Sequence, residues 1–142
     1  MTKPLDGIRV VELASWMFVP SAGSVLADWG ADVLKVEPPD GGDPQRGLIT
    51  SGLVPGGAGG VNFMIEQPNR SKRSLAINLR HDDGREAFMK LIETADVFLT
   101  NYLPHIRQKL GVDTDDIRAR NPSIVIARGS GQGPLGPDAG KG

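Results

Sequence analysis

The chain has 142 residues, with 16 lysines and arginines against 17 aspartates and glutamates, two histidines and no cysteine. A net charge of -1 offers no basic excess to track a nucleic-acid backbone, and the lack of cysteine excludes disulfides, thiolate zinc sites and a cysteine nucleophile. Two histidines leave little for a metal cage, and no apolar run approaches the roughly 20 residues of a membrane-spanning helix. The opening MTKPLDGIRVVEL goes straight into a strand pattern without the charged and apolar segments of a secretory leader. The expectation is a cytoplasmic, soluble domain that engages neither nucleic acid nor membrane and holds no metal.

Taken in chain order, short apolar runs rich in β-branched residues alternate with helical patterns, which is the order of a parallel sheet with crossover helices. Ile8 to Leu13 (IRVVEL) reads as the first strand and Asp32 to Glu37 (DVLKVE) as the second. Between them Pro20 to Trp29 spaces Ala22, Val25, Leu26 and Trp29 as one helical stripe, and Gly30 falls where a helix ends. Residues 38–61 hold eight glycines and four prolines and read as a long loop, a kind that is usually functional in a compact domain.

Leu75 to Leu79 forms the third run. The turn-like residues 81–84 then lead into a helix over Arg85 to Ala95, with Ala87, Phe88, Leu91, Ile92 and Ala95 on its apolar face. Asp96 to Thr100 (DVFLT) and Ser123 to Ala127 (SIVIA) do not alternate and read as fully buried strands, with short helices at Pro104 to Leu110 and Asp115 to Arg120 between them. From Gly129 onward six glycines occur in 14 residues with no closing element. The fold class expected is α/β, a Rossmann-like doubly wound parallel sheet that is incomplete. Residues 1–142 would be the N-terminal part of a longer chain, and 129–142 its truncated glycine-rich tail.

Two phosphate motifs are imitated. Gly131 to Gly136 matches the spacing of a dinucleotide fingerprint, but it follows the last strand and is broken by proline, whereas the chemistry requires glycines that open a helix after the first strand. The stretch 136–142 resembles a phosphate loop but is one residue short and has Gly142 where a hydroxyl belongs. The first strand is instead followed by the bulky segment Ala14 to Pro20, suited to a flat ring or a pantetheine-like arm. Arg46, Arg70, Lys72 and Arg73 lie in or just after the long loop, where they are either phosphate ligands or solvated side chains. Asn101 and Tyr102 follow a buried strand at its ligand-facing end, where Asn101 could pair with an adenine edge or cap the next helix. His81 and His105 sit in turn or helix-start contexts without triad partners, and Glu37 stands where a dinucleotide enzyme binds ribose.

Five stretches in order carry a resemblance: PLDGIRVVEL at 4–13, LADWGADVLKVEPPDGGDPQRG at 26–47, NRSKRSLAINL at 69–79, ADVFLTNYLP at 95–104, and LG at 110–111 followed by NPSIVIARGSGQGPLGP at 121–137. Together they resemble the start of the family III coenzyme A transferases of the CaiB/BaiF type, which include formyl-CoA transferase, carnitine CoA-transferase and the α-methylacyl-CoA racemases. The resemblance implies an acyl-CoA site at the strand ends. Trp16, Met17 and Phe18 would line the pantetheine or adenine route, and Ile77 and Asn101, with Tyr102 beside it, would contact the adenine. Lys109 and Leu110 would lie near the phosphates and base, with Arg46, Lys72 and Arg73 as further phosphate candidates, because Pro38 stands where some relatives carry a basic residue. Gly129 and Gly131 would let backbone approach the thioester.

The family's nucleophile is an aspartate that forms a mixed anhydride and then an aspartyl-CoA thioester. It is expected just past residue 142, with Asp138 in the variable stretch before it, so the 142 residues alone should be inactive and carry no catalytic residue. The resemblance further implies carboxylic acid and acyl-CoA substrates and an interlocked homodimer. Acyl-CoA racemisation within the family, a non-catalytic CoA or nucleotide module, and a nicotinamide-dependent oxidoreductase are the alternatives.

Overall fold

A computed structural model describes residues 3–55, 58–139 and 141. The apolar runs become five parallel strands: β1 (Arg9–Leu13), β2 (Asp32–Glu37), β3 (Arg73–Ala76), β4 (Val97–Thr100) and β5 (Val125–Arg128). Their order across the sheet is β3-β2-β1-β4-β5. The chain therefore winds outward from β1 in one direction, returns, and winds outward in the other. Strand order reverses between β1 and β4, and in such sheets ligands bind at the carboxyl ends beside that reversal.

Side chains alternate across the sheet, so β1 feeds two cores. Val11 and Leu13 join Val36, Phe88, Ile92 and Phe98 on one face, under helices α4 (Asp82–Glu93) and α6 (Thr114–Arg120). There Phe88 and Phe98 meet edge to face with ring centroids 6.0 Å apart. Val10 and Ala14 join Val19, Ala27, Val33 and Leu99 on the other face, under α1 (Phe18–Asp28). Gly30, at φ 106°, ends α1 and donates its N–H to the Ala27 carbonyl. The Asn121 side chain donates to the Ile92 and Ala95 carbonyls and so ties the end of α4 to the start of β5.

Several boundaries differ from the sequence reading. Helix α1 begins two residues earlier, with Pro20 in its first turn where the missing N–H costs nothing. The edge strand β3 occupies Arg73–Ala76 rather than 75–79, because its register is set by pairing, Glu37 opposite Ala76, and not by apolar content. The strand expected to be fully buried over 123–127 is β5, an edge strand with Val125 61% exposed, since only β4 flanks it. The long loop contains a 3-10 turn at Pro44–Arg46, a short helix α2 (Gly47–Thr50) and a second 3-10 turn at Ala58–Gly60. Helix α3 (Phe63–Asn69), with Pro68 in its last turn, follows it unanticipated, and α5 (Pro104–Leu110) matches the sequence reading. Among the described residues no helix is long and apolar enough to cross a membrane.

Candidate functional site

The carboxyl ends of β1 and β2 and the segments after β3 and β4 surround a cleft of about 440 Å3, within the size range of small-molecule sites. Leu13 comes from β1, Ile77 and Leu79 from the segment after β3, and Tyr102, Ile106 and Leu110 from the chain after β4. Pro38, Pro39 and Pro44 add flat apolar surface from the loop after β2. Two cations, Arg80 and Lys109, reach this cleft, and neither side chain has an ion-pair partner among the described residues. The Asn78 carboxamide oxygen accepts the Arg80 N–H at 3.1 Å, which fixes the turn that presents Arg80. Apolar walls with unpaired cations suit a flat heteroaromatic ring carrying phosphate.

Glu37 also lines the cleft, but its oxygens are occupied. They accept from the Arg46 guanidinium at 2.9–3.1 Å, from the Asp43 N–H at 3.0 Å and from the Ser74 hydroxyl at 3.1 Å. Burial alone would raise the Glu37 carboxyl, yet the Arg46 and Asp43 hydrogen bonds outweigh it and hold the group below its ordinary range. A carboxylate saturated in this way is not free to receive two ribose hydroxyls.

Beneath the cleft, on the α1 face of the sheet, lies a buried set of charges. Glu12 and Lys35 sit opposite each other in the β1–β2 register, and both are buried. Lys35 Nζ donates to Asp43 Oδ2 at 2.9 Å, to the Ala14 carbonyl at 3.1 Å and to Glu12 Oε1 at 3.4 Å. Lys72 Nζ donates to both Glu12 oxygens at 2.7 and 2.9 Å and to the Pro20 carbonyl at 2.8 Å. Two cations and two anions thus neutralise one another with their hydrogen bonds filled, the condition under which buried charge is tolerated. Burial pushes Glu12 up and Lys72 down, each opposed by the other's charge.

The residues singled out from the sequence fall into separate groups. Ile77, Tyr102, Lys109 and Leu110 come together in the main cleft. Trp16 and Asn101 lie in an adjoining hollow of about 250 Å3 that shares Ser15, Pro44, Tyr102 and Ile106 with it. Asn101 spends its carboxamide on Ser15, accepting from the N–H at 3.0 Å and donating to the carbonyl at 2.7 Å. Met17 accepts a weak hydrogen bond from Gln45 at 3.6 Å, and Phe18 stands exposed beside Gly129, whose added Cβ would come 2.9 Å from Phe18 Cε1. Gly129 lines a small hollow with Tyr102, Arg107 and Arg128, while Gly131 lies exposed outside the clefts described.

Arg46, Lys72 and Arg73 are held by Glu37, Glu12 and Asp32 respectively, and Arg73 sits at the amino end of its strand, away from the cleft. Arg70 pairs with Asp28. The sequence reading missed Arg80, which directly follows the third apolar run as Asn101 follows the fourth, so the same positional signal marks it. Gly131 to Gly136 form bends after β5 with no helix opening from them among the described residues. Gly140 and Gly142 lie outside the described residues, so the resemblance to a phosphate loop has no structural counterpart here. Among the described residues no cluster of histidine, aspartate or glutamate is arranged to hold a metal ion.

The family model for CoA-transferase family III matches residues 5–142. The chain is 40% identical over 135 residues to a "probable fatty acyl-CoA transferase" of Mycobacterium tuberculosis, covering 95% of this chain and 33% of that protein. It is 39% identical over 139 residues to a succinate–glutarate CoA-transferase of Agrobacterium fabrum, covering 96% and 34%. A crystal structure of the Mycobacterium tuberculosis protein superposes with a TM-score of 0.86 at 36% identity, over 99% of this chain and 38% of that one. A CAIB/BAIF family protein from Brucella suis superposes with a TM-score of 0.85 at 35% identity, over 99% and 37%. The chain thus spans about a third of the length of the relatives it matches.

Proposed function

The chain belongs to CoA-transferase family III, and from that premise we propose that its strand-end cleft binds the nucleotide end of coenzyme A thioesters. The observation that carries this reading is the pair of unpaired cations, Arg80 and Lys109, on a cleft of mainly apolar walls that also carries Ser15, Asp40, Asn78 and the Arg46-paired Glu37, beside the strand-order reversal. The adenine packs against Ile77, Tyr102 and the proline surface of 38–39, while Arg80 and Lys109 meet phosphate oxygens. Lys109 and Ile77 keep the roles that the resemblance implies, and Arg80 takes the role first given to Arg46, Lys72 and Arg73. Apolar contact holds the base and charge-assisted hydrogen bonds hold the phosphates, so neither set alone accounts for affinity.

In the whole protein the reaction is transfer of coenzyme A between carboxylic acids, through an aspartyl-CoA thioester on a carboxylate that the 142 residues do not include. The names of the relatives above, both transferases, favour transfer over racemisation. Residues 1–142 form the coenzyme-binding part, with residues 38–61 as the loop that closes one side of the cleft. The whole protein acts as an interlocked homodimer in the cytoplasm on acyl-CoA and carboxylic acid substrates, without a metal.

Calorimetric titration with coenzyme A, dephospho-coenzyme A and NAD tests the reading. Coenzyme A should bind, the dephospho form more weakly, and NAD not at all. Equal binding of NAD and coenzyme A, or affinity unchanged in Arg80→Ala and Lys109→Ala, would sink it.

A further inference from the structure

Trp16 is a bulky residue held at φ 69°, in the left-handed region that favours glycine. Strain of this kind persists only where the surroundings over-determine it. Here the backbone on either side is gripped from three directions. The Ala14 carbonyl accepts from Lys35 Nζ at 3.1 Å, both backbone polar groups of Ser15 are taken by the Asn101 carboxamide, and the Trp16 N–H donates to Asp43 Oδ1 at 3.0 Å. These three side chains come from β2, the loop after β2 and the loop after β4. The segment they hold forms part of the wall shared by the main cleft and the adjoining hollow, through Ser15.

We infer that Asn101 and Asp43, with Lys35 anchoring Asp43, are positioning residues that clamp the Ser15–Trp16 turn in its strained form, so that the Trp16 indole flanks the path by which an acyl-CoA leaves the nucleotide cleft. The inference rests on the coenzyme A reading and changes the part played by Asn101. Its carboxamide is used on backbone, so it acts on the ligand through Trp16 and does not read the adenine edge. The turn also offers the ligand no free amide at Ser15 or Trp16. The arm that crosses it meets the indole face and the Ser15 hydroxyl, and a thioester's pantetheine arm presents methyl and methylene groups to the first and amide groups to the second.

The test uses the chain with Trp29→Phe, which leaves Trp16 as the only indole. Asn101→Ala removes no charge, so a thermal melt close to that of the parent establishes that the variant is folded. It should shift Trp16 emission, raise its quenching by acrylamide without ligand, and weaken coenzyme A binding about tenfold, the loss of roughly one well-made hydrogen bond. Asn101→Asp, which keeps an acceptor for the Ser15 N–H but sets a carboxylate oxygen against the Ser15 carbonyl, should loosen the turn at least as much as Asn101→Ala. In a Trp16→Gly background, where glycine adopts positive φ unaided, Asn101→Ala should add little further loss, a non-additivity that a merely structural role would not produce. Unchanged quenching in both Asn101 variants overturns the clamp whatever the ligand data show. A parent chain that binds no coenzyme A while its quenching still responds to Asn101→Ala overturns the coenzyme A reading and leaves the clamp standing.

Discussion

Gly23 lies in the middle of α1, and helix propensity alone says that alanine there should stabilise the chain by about 1 kcal/mol. The structure says the opposite. A Cβ built on Gly23 overlaps Glu12 Oε2 and stands 3.1 Å from Glu12 Cδ and 3.0 Å from Lys72 Nζ. The Glu12 carboxylate cannot swing aside freely, because it is buried and held by Lys72 at 2.7 and 2.9 Å and by Lys35 at 3.4 Å. Overpacking a full core costs about 1–3 kcal/mol. Displacing the carboxylate from Lys72 costs about 1.5–3 kcal/mol more, the value of a buried charge-assisted hydrogen bond. Set against the propensity gain, Gly23→Ala should destabilise by about 3 kcal/mol and lower the melting temperature by about 10 °C for a chain of this size. Urea titration followed by circular dichroism should give an earlier midpoint with an unchanged slope. Adding Glu12→Asp, which withdraws the carboxylate by about one C–C bond, roughly 1.5 Å, should recover much of the loss. A Gly23→Ala chain as stable as the parent would show that the charged cluster is soft and that the packing argument is wrong.

Lys35→Met should destabilise by about 3–5 kcal/mol, because it leaves Asp43 buried without its cation; equilibrium unfolding measures it. Glu37 is depressed below its ordinary value near 4.5, so the stability it contributes is fully present above that pH and is lost as pH falls through the lower folded value. Accordingly, Glu37→Gln should remove part of the acid-side fall in a melting-temperature profile below about pH 4.5, while costing stability at pH 7. Arg80→Ala and Lys109→Ala should each weaken coenzyme A binding about tenfold and flatten its salt dependence, with melting unchanged within about 2 °C. The exposed Trp16 and Phe18, together with β5 as an edge strand, should make the isolated chain self-associate, seen as a concentration-dependent sedimentation coefficient.

The strands of the sheet centre were legible because burial on both faces writes a short run dominated by β-branched and other apolar residues, and β2 has the bounds its sequence announces. The edge strands were not. β3 (RSLA) and β5 (VIAR) are bounded by hydrogen bonding to one neighbour rather than by apolar content, so the apolar runs that marked them are displaced along the chain. Helix α3 was hidden by its position after a glycine-rich loop and by Pro68, and only Ile65 and Pro68 are buried along it. The charged cluster could not be read at all from local pattern. Glu12 and Lys35 look like solvated interruptions of apolar strands until the parallel register sets them side by side, and Lys72 joins them from 60 residues away.

Carboxylates on β1 and β2 account for why candidate cations in the sequence and usable cations in the structure are different residues. Arg46, Lys72 and Arg73 are basic residues near the long loop, and each is neutralised by an acid delivered from β1 or β2. Arg80 and Lys109 follow β3 and end α5, where neither has a carboxylate partner and both face the apolar cleft. The neutralised group is tied to the cleft through Asp43, whose carboxylate pairs with Lys35, accepts from Gln45 and Trp16, and whose own N–H donates to Glu37. One buried aspartate thus sets the path of the loop after β2 and the turn after β1 together. A side chain without an acceptor there would release Trp16, Gln45 and Lys35 together. The fold therefore buries its structural charge on the α1 face and leaves on the cleft lining two cations, Arg80 and Lys109, against one carboxylate unpaired among the described residues, Asp40, an excess that a phosphorylated ligand would neutralise.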